Sequence, residues 1–154
     1  MAQYYLDSSA LVKRYVAERG TPWISHVCDA AAGHTLYTVR ISGAELVAAL
    51  FRRARAGSLS VLDAQTEAAQ FKADLPYDYE IVEVTEALVN TAMTLAERHG
   101  LRGYDAVQLA AALKLQAALT ASGLPTLILV SADGELNTAT VAEGLMVEDP
   151  NLHP

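Results

Sequence analysis

Short apolar runs alternate with helical patterns along the whole chain, and this alternation constrains the fold more than any other feature. The strand-like runs are residues 3–6, 34–39, 79–84, 126–131 and 145–150. Short apolar runs separated by helices are typical of a parallel sheet that is covered on both faces. The sequence therefore predicts an α/β fold: a three-layer sandwich with a central parallel sheet of about five strands flanked by helices.

Capping residues, prolines and glycines predict where several helices begin and end. Thr21, which precedes a proline, is expected to cap a helix that closes at Gly33. Another helix is predicted from Ser60 to about Ala73, ahead of Pro76, because proline breaks helix interiors. No linker or repeat interrupts these elements, so we expect a single domain.

Composition narrows the class of protein. The chain has 154 residues, of which 52% are hydrophobic and 19% are charged, and this balance excludes a disordered chain. No apolar run approaches the roughly 20 residues of a membrane span, and no secretion signal is present. We therefore expect a cytoplasmic protein without membrane contact. The single cysteine, Cys28, and four scattered histidines argue against a disulfide framework and a zinc site.

The net charge of -7 usually argues against a nucleic-acid partner, because phosphate binding depends on lysine and arginine. The basic residues are unevenly spread, however. Most lie between Lys13 and Arg55, and no lysine or arginine follows Lys114. The sequence therefore leaves open the interpretation that this acidic protein has a local basic surface.

The predicted helix that begins near Tyr104 is rich in alanine, and after Asp105 its only charge over roughly four turns is Lys114. Helices of this kind pack closely on several sides. Two interpretations are open: a central helix of the core, or a contact between two copies of the chain.

Two aspartates follow predicted strands. Asp7 comes directly after residues 3–6, and Asp133 comes shortly after residues 126–131. In open parallel sheets, ligands bind beyond the carboxyl ends of the strands. Each aspartate also has a purely structural explanation, because Asp is a preferred helix cap and the Asp-Gly pair at 133 suits a turn.

Two further acids lie in predicted helices. Glu45 has no lysine or arginine three or four positions away, so it either reaches solvent or is held by a cation from elsewhere. Asp105 lies in the first turn of the alanine-rich helix, where it suits the helix dipole and where Arg102 is a candidate partner.

These acids are informative as a set. If they converge, two carboxylates about 5 Å apart repel each other by about 3 kcal/mol at an effective dielectric constant of about 20. Such a cluster needs a divalent cation or bound protons. Carboxylate oxygens without His or Cys suit Mg²⁺ or Mn²⁺, and such ions commonly act on phosphates. Spacing alone does not show whether the acids converge.

The acids lie in four segments: "YYLDSSALVKRY", "ISGAELVAAL", "LRGYDAVQLAAAL" and "LILVSADGELNTATVAEGLMVEDP". In that order, these segments resemble the ones that define PIN-domain ribonucleases, especially the VapC-type toxins of toxin–antitoxin pairs. The resemblance covers essentially the whole chain and implies a single PIN-like domain over residues 1–154. It also implies a Mg²⁺- or Mn²⁺-dependent endoribonuclease that cleaves RNA phosphodiesters by metal-activated water, leaving 5′-phosphate and 3′-hydroxyl ends.

The resemblance gives roles to individual positions. The family's catalytic acids and metal ligands match Asp7, Glu45, Asp105 and Asp133. The hydroxyl residues that support the site match Ser9, Ser42 and Ser131. No acidic position is missing, so nothing in the sequence marks the chain as catalytically silent.

The resemblance also implies partners. VapC-type toxins are similar in forming homodimers and in being silenced by a VapB-type antitoxin, which can put a basic side chain in the acidic site. An acidic surface favours such a partner, so the net charge is interpreted partly as a toxin–antitoxin feature. The expected RNA contacts are Lys13, Arg14 and Arg52, although arginines there also suit a solvated helix end.

Other functions compete with a ribonuclease. A phospho-receiver domain also gathers acids around Mg²⁺, but it needs paired acids where Asp7 stands alone and a phosphoacceptor where Glu83 is the only nearby acid. A catalytically silent partner-binding module keeps the same fold, and the intact acidic set argues against it. A dinucleotide-binding domain has no support, because no G-x-G-x-x-G follows the first strand.

Overall fold

The computed structural model describes residues 1–154. Five parallel strands form one sheet in the order β3-β2-β1-β4-β5. The strands are β1 (Gln3–Leu6), β2 (Thr35–Val39), β3 (Glu80–Val82), β4 (Leu127–Val130) and β5 (Met146–Glu148). Every predicted strand is present, although β3 and β5 are shorter than predicted. The first strand of the chain is the central strand of the sheet.

Seven α-helices connect and follow the strands. They are α1 (Ser8–Tyr15), α2 (Thr21–Val27), α3 (Ser42–Ala56), α4 (Val61–Asp78), α5 (Glu86–His99), α6 (Gly103–Ala121) and α7 (Gly134–Ala142). Two short 3₁₀ helices cover Ala30–Ala32 and Pro150–Leu152. The helices lie on both sides of the sheet, as parallel strands require.

The two faces of the sheet bury separate apolar cores, because neighbouring side chains of a strand point to opposite faces. Tyr5 of β1 belongs to one core, with Leu127 and Leu129 of β4 and buried residues of α5, α6 and α7. Leu6 belongs to the other core, which includes buried residues of α1, α2, α3 and α4. The predicted three-layer α/β sandwich is confirmed.

Helix α6 is a central helix of its layer. Leu109 and the three alanines that follow it are fully buried, and the helix packs along α5. Small side chains allow this close approach, so the interpretation of α6 as a core helix is confirmed. Neither α6 nor any other helix is both long enough and apolar enough to cross a bilayer.

The beginning and the end of α2 differ from the prediction. Gly20, not Thr21, is the N-cap, and the hydroxyl of Thr21 instead donates a hydrogen bond to the carbonyl of Val16. Gly20 has a φ of 87°, and a Cβ there would clash with the carbonyl of Pro150. The helix ends at Val27, and the predicted end at Gly33 is the end of a separate 3₁₀ helix. Because the segment around Pro150 packs closely against Gly20, the N-cap of α2 must be glycine.

Helix α4 continues through Pro76 to Asp78, so its predicted end at about Ala73 is wrong. Pro76 removes one backbone donor from the C-terminal turns of this helix. Side chains then hold the last turn. The guanidinium of Arg14 donates hydrogen bonds to Asp78 at 2.7 Å and to the phenol of Tyr79 at 2.6 Å.

Candidate metal centre

The carboxyl ends of β1 and β4 lie side by side at one edge of the sheet. Leu6 is in register with Val130, and the backbone N–H of Asp7 donates to the carbonyl of Val130 at 3.1 Å. The segment after β1 therefore lies next to the segment after β4, which contains Ser131 and Asp133. This is the edge at which parallel sheets bind ligands.

Asp7 is buried, with 3% of its surface exposed. One carboxylate oxygen, Oδ1, accepts hydrogen bonds from the hydroxyl of Ser9 at 2.7 Å and from the backbone N–H of Ala10 at 2.9 Å. Asp7 therefore caps α1, and it also lies at the crevice. Burial raises the pKa of its carboxyl to about 7, despite the hydrogen bonds that favour the ionised form, and the charge of Glu45 adds to the increase.

Two of the predicted supporting serines join the segments that contain Asp7 and Asp133. The hydroxyl of Ser9 accepts from the backbone N–H of Ala132 at 2.9 Å and lies 3.5 Å from the hydroxyl of Ser131. The hydroxyl of Ser131, which is fully buried, accepts from the N–H of Asp133 at 3.0 Å. These contacts fix the two strand ends relative to each other.

Glu45 lies in the first turn of α3, and neutral donors hold both of its oxygens. The hydroxyl of Ser8 donates to Oε2 at 2.9 Å, and the side-chain amide of Gln108 donates to Oε1 at 2.9 Å. The predicted supporting residue Ser42 is fully buried and accepts a hydrogen bond from the same amide at 2.9 Å. No cationic partner holds Glu45, so that explanation is wrong; the side chain is half-buried and borders the open cleft.

Gln108 and Ser8 are functional candidates that the sequence analysis missed. Gln108 is 1% exposed and lies three residues after Asp105 on α6, and its oxygen accepts from the phenol of Tyr5 at 2.7 Å. The signal was a polar residue in an otherwise apolar stretch of helix. Its significance depends on β1, α3 and α6 meeting, which spacing does not reveal.

Asp105 is half-buried in the first turn of α6. Burial raises the pKa of its carboxyl to about 6, the negative charges of Asp133 and Glu45 add to this increase, and Arg102 opposes it. Arg102 forms no ion pair with Asp105. The carboxyl therefore lies among other acids without a direct counter-charge.

Asp133 caps α7, where its Oδ1 accepts from the backbone N–H of Leu136 at 3.0 Å. It also lines a cleft of about 600 Å³ together with Glu45 and Asp105. Ser8 and Ser9 line the same cleft, and Asp7, bonded to Ser9, lies buried beneath it. The structure thus brings together the four acids that the sequence singled out.

The acids lie around the cleft but do not form a complete set of metal ligands. No three acidic, histidine or cysteine side chains are close enough to hold one ion as they stand. Like charges separate unless a cation attracts them, and neutral hydrogen-bond donors hold Asp7 and Glu45 in the present arrangement. The donors are carboxylate oxygens, which suit Mg²⁺ or Mn²⁺.

The basic residues expected to contact RNA fall into two groups. Arg52 is exposed and lines the cleft, as does Arg102. Lys13 and Arg14 do not line the cleft. The ammonium of Lys13 is buried and donates to Glu18, to the carbonyl of Arg19 and to Asn151, and Arg14 is bonded to the end of α4.

Known proteins resemble this chain in sequence and in fold. The family model of the PIN domain matches residues 4–139. The chain belongs to the PIN domain family. It is 34% identical, over the full length of both chains, to ribonuclease VapC45 and to ribonuclease VapC49 of Mycobacterium tuberculosis. The predicted resemblance to VapC-type PIN ribonucleases is therefore confirmed.

Solved structures share the PIN fold. PAE2754 from Pyrobaculum aerophilum superposes with a TM-score of 0.63 at 22% identity, over 99% of this chain and 86% of that chain. VapBC2 from Rickettsia felis, solved bound to a DNA fragment from its promoter, superposes with a TM-score of 0.58 at 16% identity, over 96% and 98%. At such identities the likeness shows the fold alone. PIN-domain ribonucleases generally depend on divalent metals.

Proposed function

We propose that this PIN domain is an endoribonuclease toxin that uses Mg²⁺ or Mn²⁺ bound at its acidic cleft. The observation that carries the proposal is the meeting of Glu45, Asp105 and Asp133 around one cleft, with Asp7 buried beneath it. The full-length similarity to named ribonucleases supports the same activity.

The proposed metal ligands and catalytic acids are Asp7, Glu45, Asp105 and Asp133. A divalent cation, when bound, offsets the charge of a phosphodiester and lowers the pKa of a water molecule. The chain's own residues orient the acids: Ser9 bonds to Asp7, while Ser131 connects to Ser9 and to the backbone of Asp133. Ser42 shares the amide that bonds Glu45. Because these donors are neutral, the negative charge stays available to a cation.

The family resemblance supports an RNA substrate and products with 5′-phosphate and 3′-hydroxyl ends. Arg52 is the proposed RNA contact among the basic residues predicted from the sequence, and Arg102 joins it, because both line the cleft without forming an ion pair. Phosphates need such free cations. The ammonium of Lys13 already donates to three acceptors within the protein, and Arg14 already forms ion pairs. These contacts support a structural role for those two residues instead.

The proposed protein partners are a VapB-type antitoxin and a second copy of this chain. An apolar groove of about 460 Å³, lined by Val84, Val89, Met93, Tyr104 and their neighbours, supports the homodimer. Met93 and Tyr104 are 55% and 61% exposed, and pairing of two copies would cover them. Sedimentation of wild-type protein and Met93→Glu tests this, and a wild-type monomer would contradict it.

We also propose that residues 1–154 act as one PIN-like domain and that the protein works in the cytoplasm. A fractionation experiment and limited proteolysis test these two points. Recovery with membranes, or cleavage into two stable fragments, would contradict them.

The test of the activity uses purified, antitoxin-free protein and total RNA, with Mg²⁺, with Mn²⁺ or with a chelator. New RNA ends are mapped by sequencing, alongside Asp7→Asn and Asp105→Asn. We expect metal-dependent cuts at a few sites and none in either variant. Folded wild-type protein that cuts nothing under any metal would favour the catalytically silent binding module. Membership of the PIN domain family excludes the phospho-receiver alternative. Glu83, the only acid near the position that a phosphoacceptor would occupy, is an exposed residue that pairs with Arg40.

A further inference from the structure

We propose that Gln108 is a positioning residue that holds the carboxylate of Glu45 in place for cation binding. This inference rests on the proposed function and adds a residue to its site. Gln108 lines no part of the cleft and is 1% exposed, so it acts through Glu45 rather than by touching a substrate.

The side-chain amide of Gln108 connects three elements of the fold. Its oxygen accepts from the phenol of Tyr5 on β1 at 2.7 Å. Its nitrogen donates to the hydroxyl of Ser42 and to Oε1 of Glu45, both on α3 and both at 2.9 Å. Both hydrogens and the oxygen of the amide are thus used, which offsets the cost of burying it.

Only one orientation of this amide satisfies its neighbours. If the amide were turned over, its oxygen would face the carboxylate of Glu45, and two acceptors would meet without a proton between them. The hydroxyl of Tyr5, which can donate or accept, donates to the amide oxygen when the amide nitrogen is directed toward Glu45. The arrangement runs from Tyr5 through Gln108 to Glu45.

The donors to Glu45 are neutral, so they hold its carboxylate without offsetting its negative charge, which a lysine or arginine in the same position would offset. The hydroxyl of Ser8 holds Oε2 of Glu45 while Gln108 holds Oε1, so the carboxylate is fixed at both ends. Neither donor cancels its charge. Fixed partners of a ligand typically contribute about 10–100-fold to metal affinity.

The test compares Mn²⁺ binding by calorimetry in wild type, Gln108→Met and Gln116→Met. Methionine keeps the length of the side chain and removes its hydrogen bonds. Gln116 is a matched control on the same helix: it bonds to Thr120 and to the backbone of Leu127, away from the cleft. We expect Gln108→Met to weaken Mn²⁺ binding by about 10-fold or more and Gln116→Met to leave it unchanged.

A double-mutant cycle with Glu45→Gln identifies the route of the effect. If Gln108 acts through Glu45, Gln108→Met costs little additional Mn²⁺ affinity once Glu45 has lost its charge. An equal loss in both backgrounds would indicate a general structural role and overturn the proposal. If Gln108→Met does not fold, Tyr5→Phe replaces it, because this variant removes only the hydroxyl that bonds to the amide.

The outcomes separate this inference from the proposed function. Wild-type protein that binds no Mn²⁺ would overturn both. If Gln108→Met binds Mn²⁺ as tightly as the wild-type protein does, the proposed role of Gln108 is overturned and the proposed metal centre stands.

Discussion

Helix α1 has a charged cluster at each end, and the two clusters differ in the balance of their charges. Beyond its N-terminus lie Asp7 and Glu45, held by hydroxyl and amide donors, with no cation bonded to either. At its C-terminus, Lys13 and Arg14 bond to acids of the α1–α2 loop and of α4. Balanced charges stabilise the fold, whereas the unbalanced cluster has no cation of its own and leaves its carboxylates available to a ligand.

The largest effect is expected when the unbalanced cluster loses one acid. Asp7→Asn keeps the shape and the capping oxygen but removes a charge that the cation needs, so RNA cleavage should fall by at least about 100-fold. Circular dichroism checks that the variant is folded. Cleavage within a few-fold of wild type would remove Asp7 from the catalytic set.

The same cluster should make the metal-free protein sensitive to pH. The pKa of Asp7 rises from 3.8 to about 7, so between these values the folded state binds more protons than the unfolded state, and stability falls as pH rises. With chelator, Asp7→Asn should therefore be more stable to urea than wild type at pH 8, by on the order of 4 kcal/mol, and should be similar to wild type near pH 4. Equal stabilities at pH 8 would contradict the raised pKa.

Breaking the balanced cluster should instead cost stability without changing the chemistry. Lys13→Met leaves Glu18, Asn151 and the carbonyl of Arg19 without their shared donor, at a cost of about 2 kcal/mol. Cleavage by the folded fraction should stay at the wild-type rate. Lys114→Met, at an exposed position of α6, is the control and should be neutral. If folded Lys13→Met cleaves RNA more slowly than the wild-type protein, that result would support the predicted contact between Lys13 and RNA.

The smallest effect is expected from the free arginines of the cleft. In the Asp7→Asn background, Arg52→Ala and Arg102→Ala should each reduce the slope of log affinity for an oligouridylate against log salt by about 0.7. Arg55→Ala is the control on the same helix as Arg52. A slope that does not change in either cleft variant would contradict the proposed phosphate contacts.

The positions of Asp7 and Asp133 at one edge of the sheet could be predicted, because they depend on local signals. Asp7 and Asp133 follow strands, and the carboxyl ends of parallel strands meet at one edge of the sheet. The alternation of strands and helices was equally local, so the layers of the fold were predictable. The resemblance to a known family then linked Glu45 and Asp105 to the same edge.

The contacts around the acids could not be predicted, because they join distant parts of the chain. Gln108 looked like one polar residue of a core helix, and its partner Tyr5 lies 103 residues earlier. Lys13 looked like a free cation, yet it bonds to Asn151, 138 residues later. Sequence patterns indicate which side chains are polar, whereas tertiary packing decides which of them are already occupied.

The central position of β1 links the site to the order of synthesis. The ribosome makes β1 before its neighbour β4 and before the cap Asp133, and six α-helices are made in between. The backbone N–H of Asp7 therefore has its partner, the carbonyl of Val130, only after β4 has been made. A nascent chain that stops before β4 has an unfinished cleft, and the cell making this nuclease is exposed to a complete cleft only once β4 and Asp133 have been made.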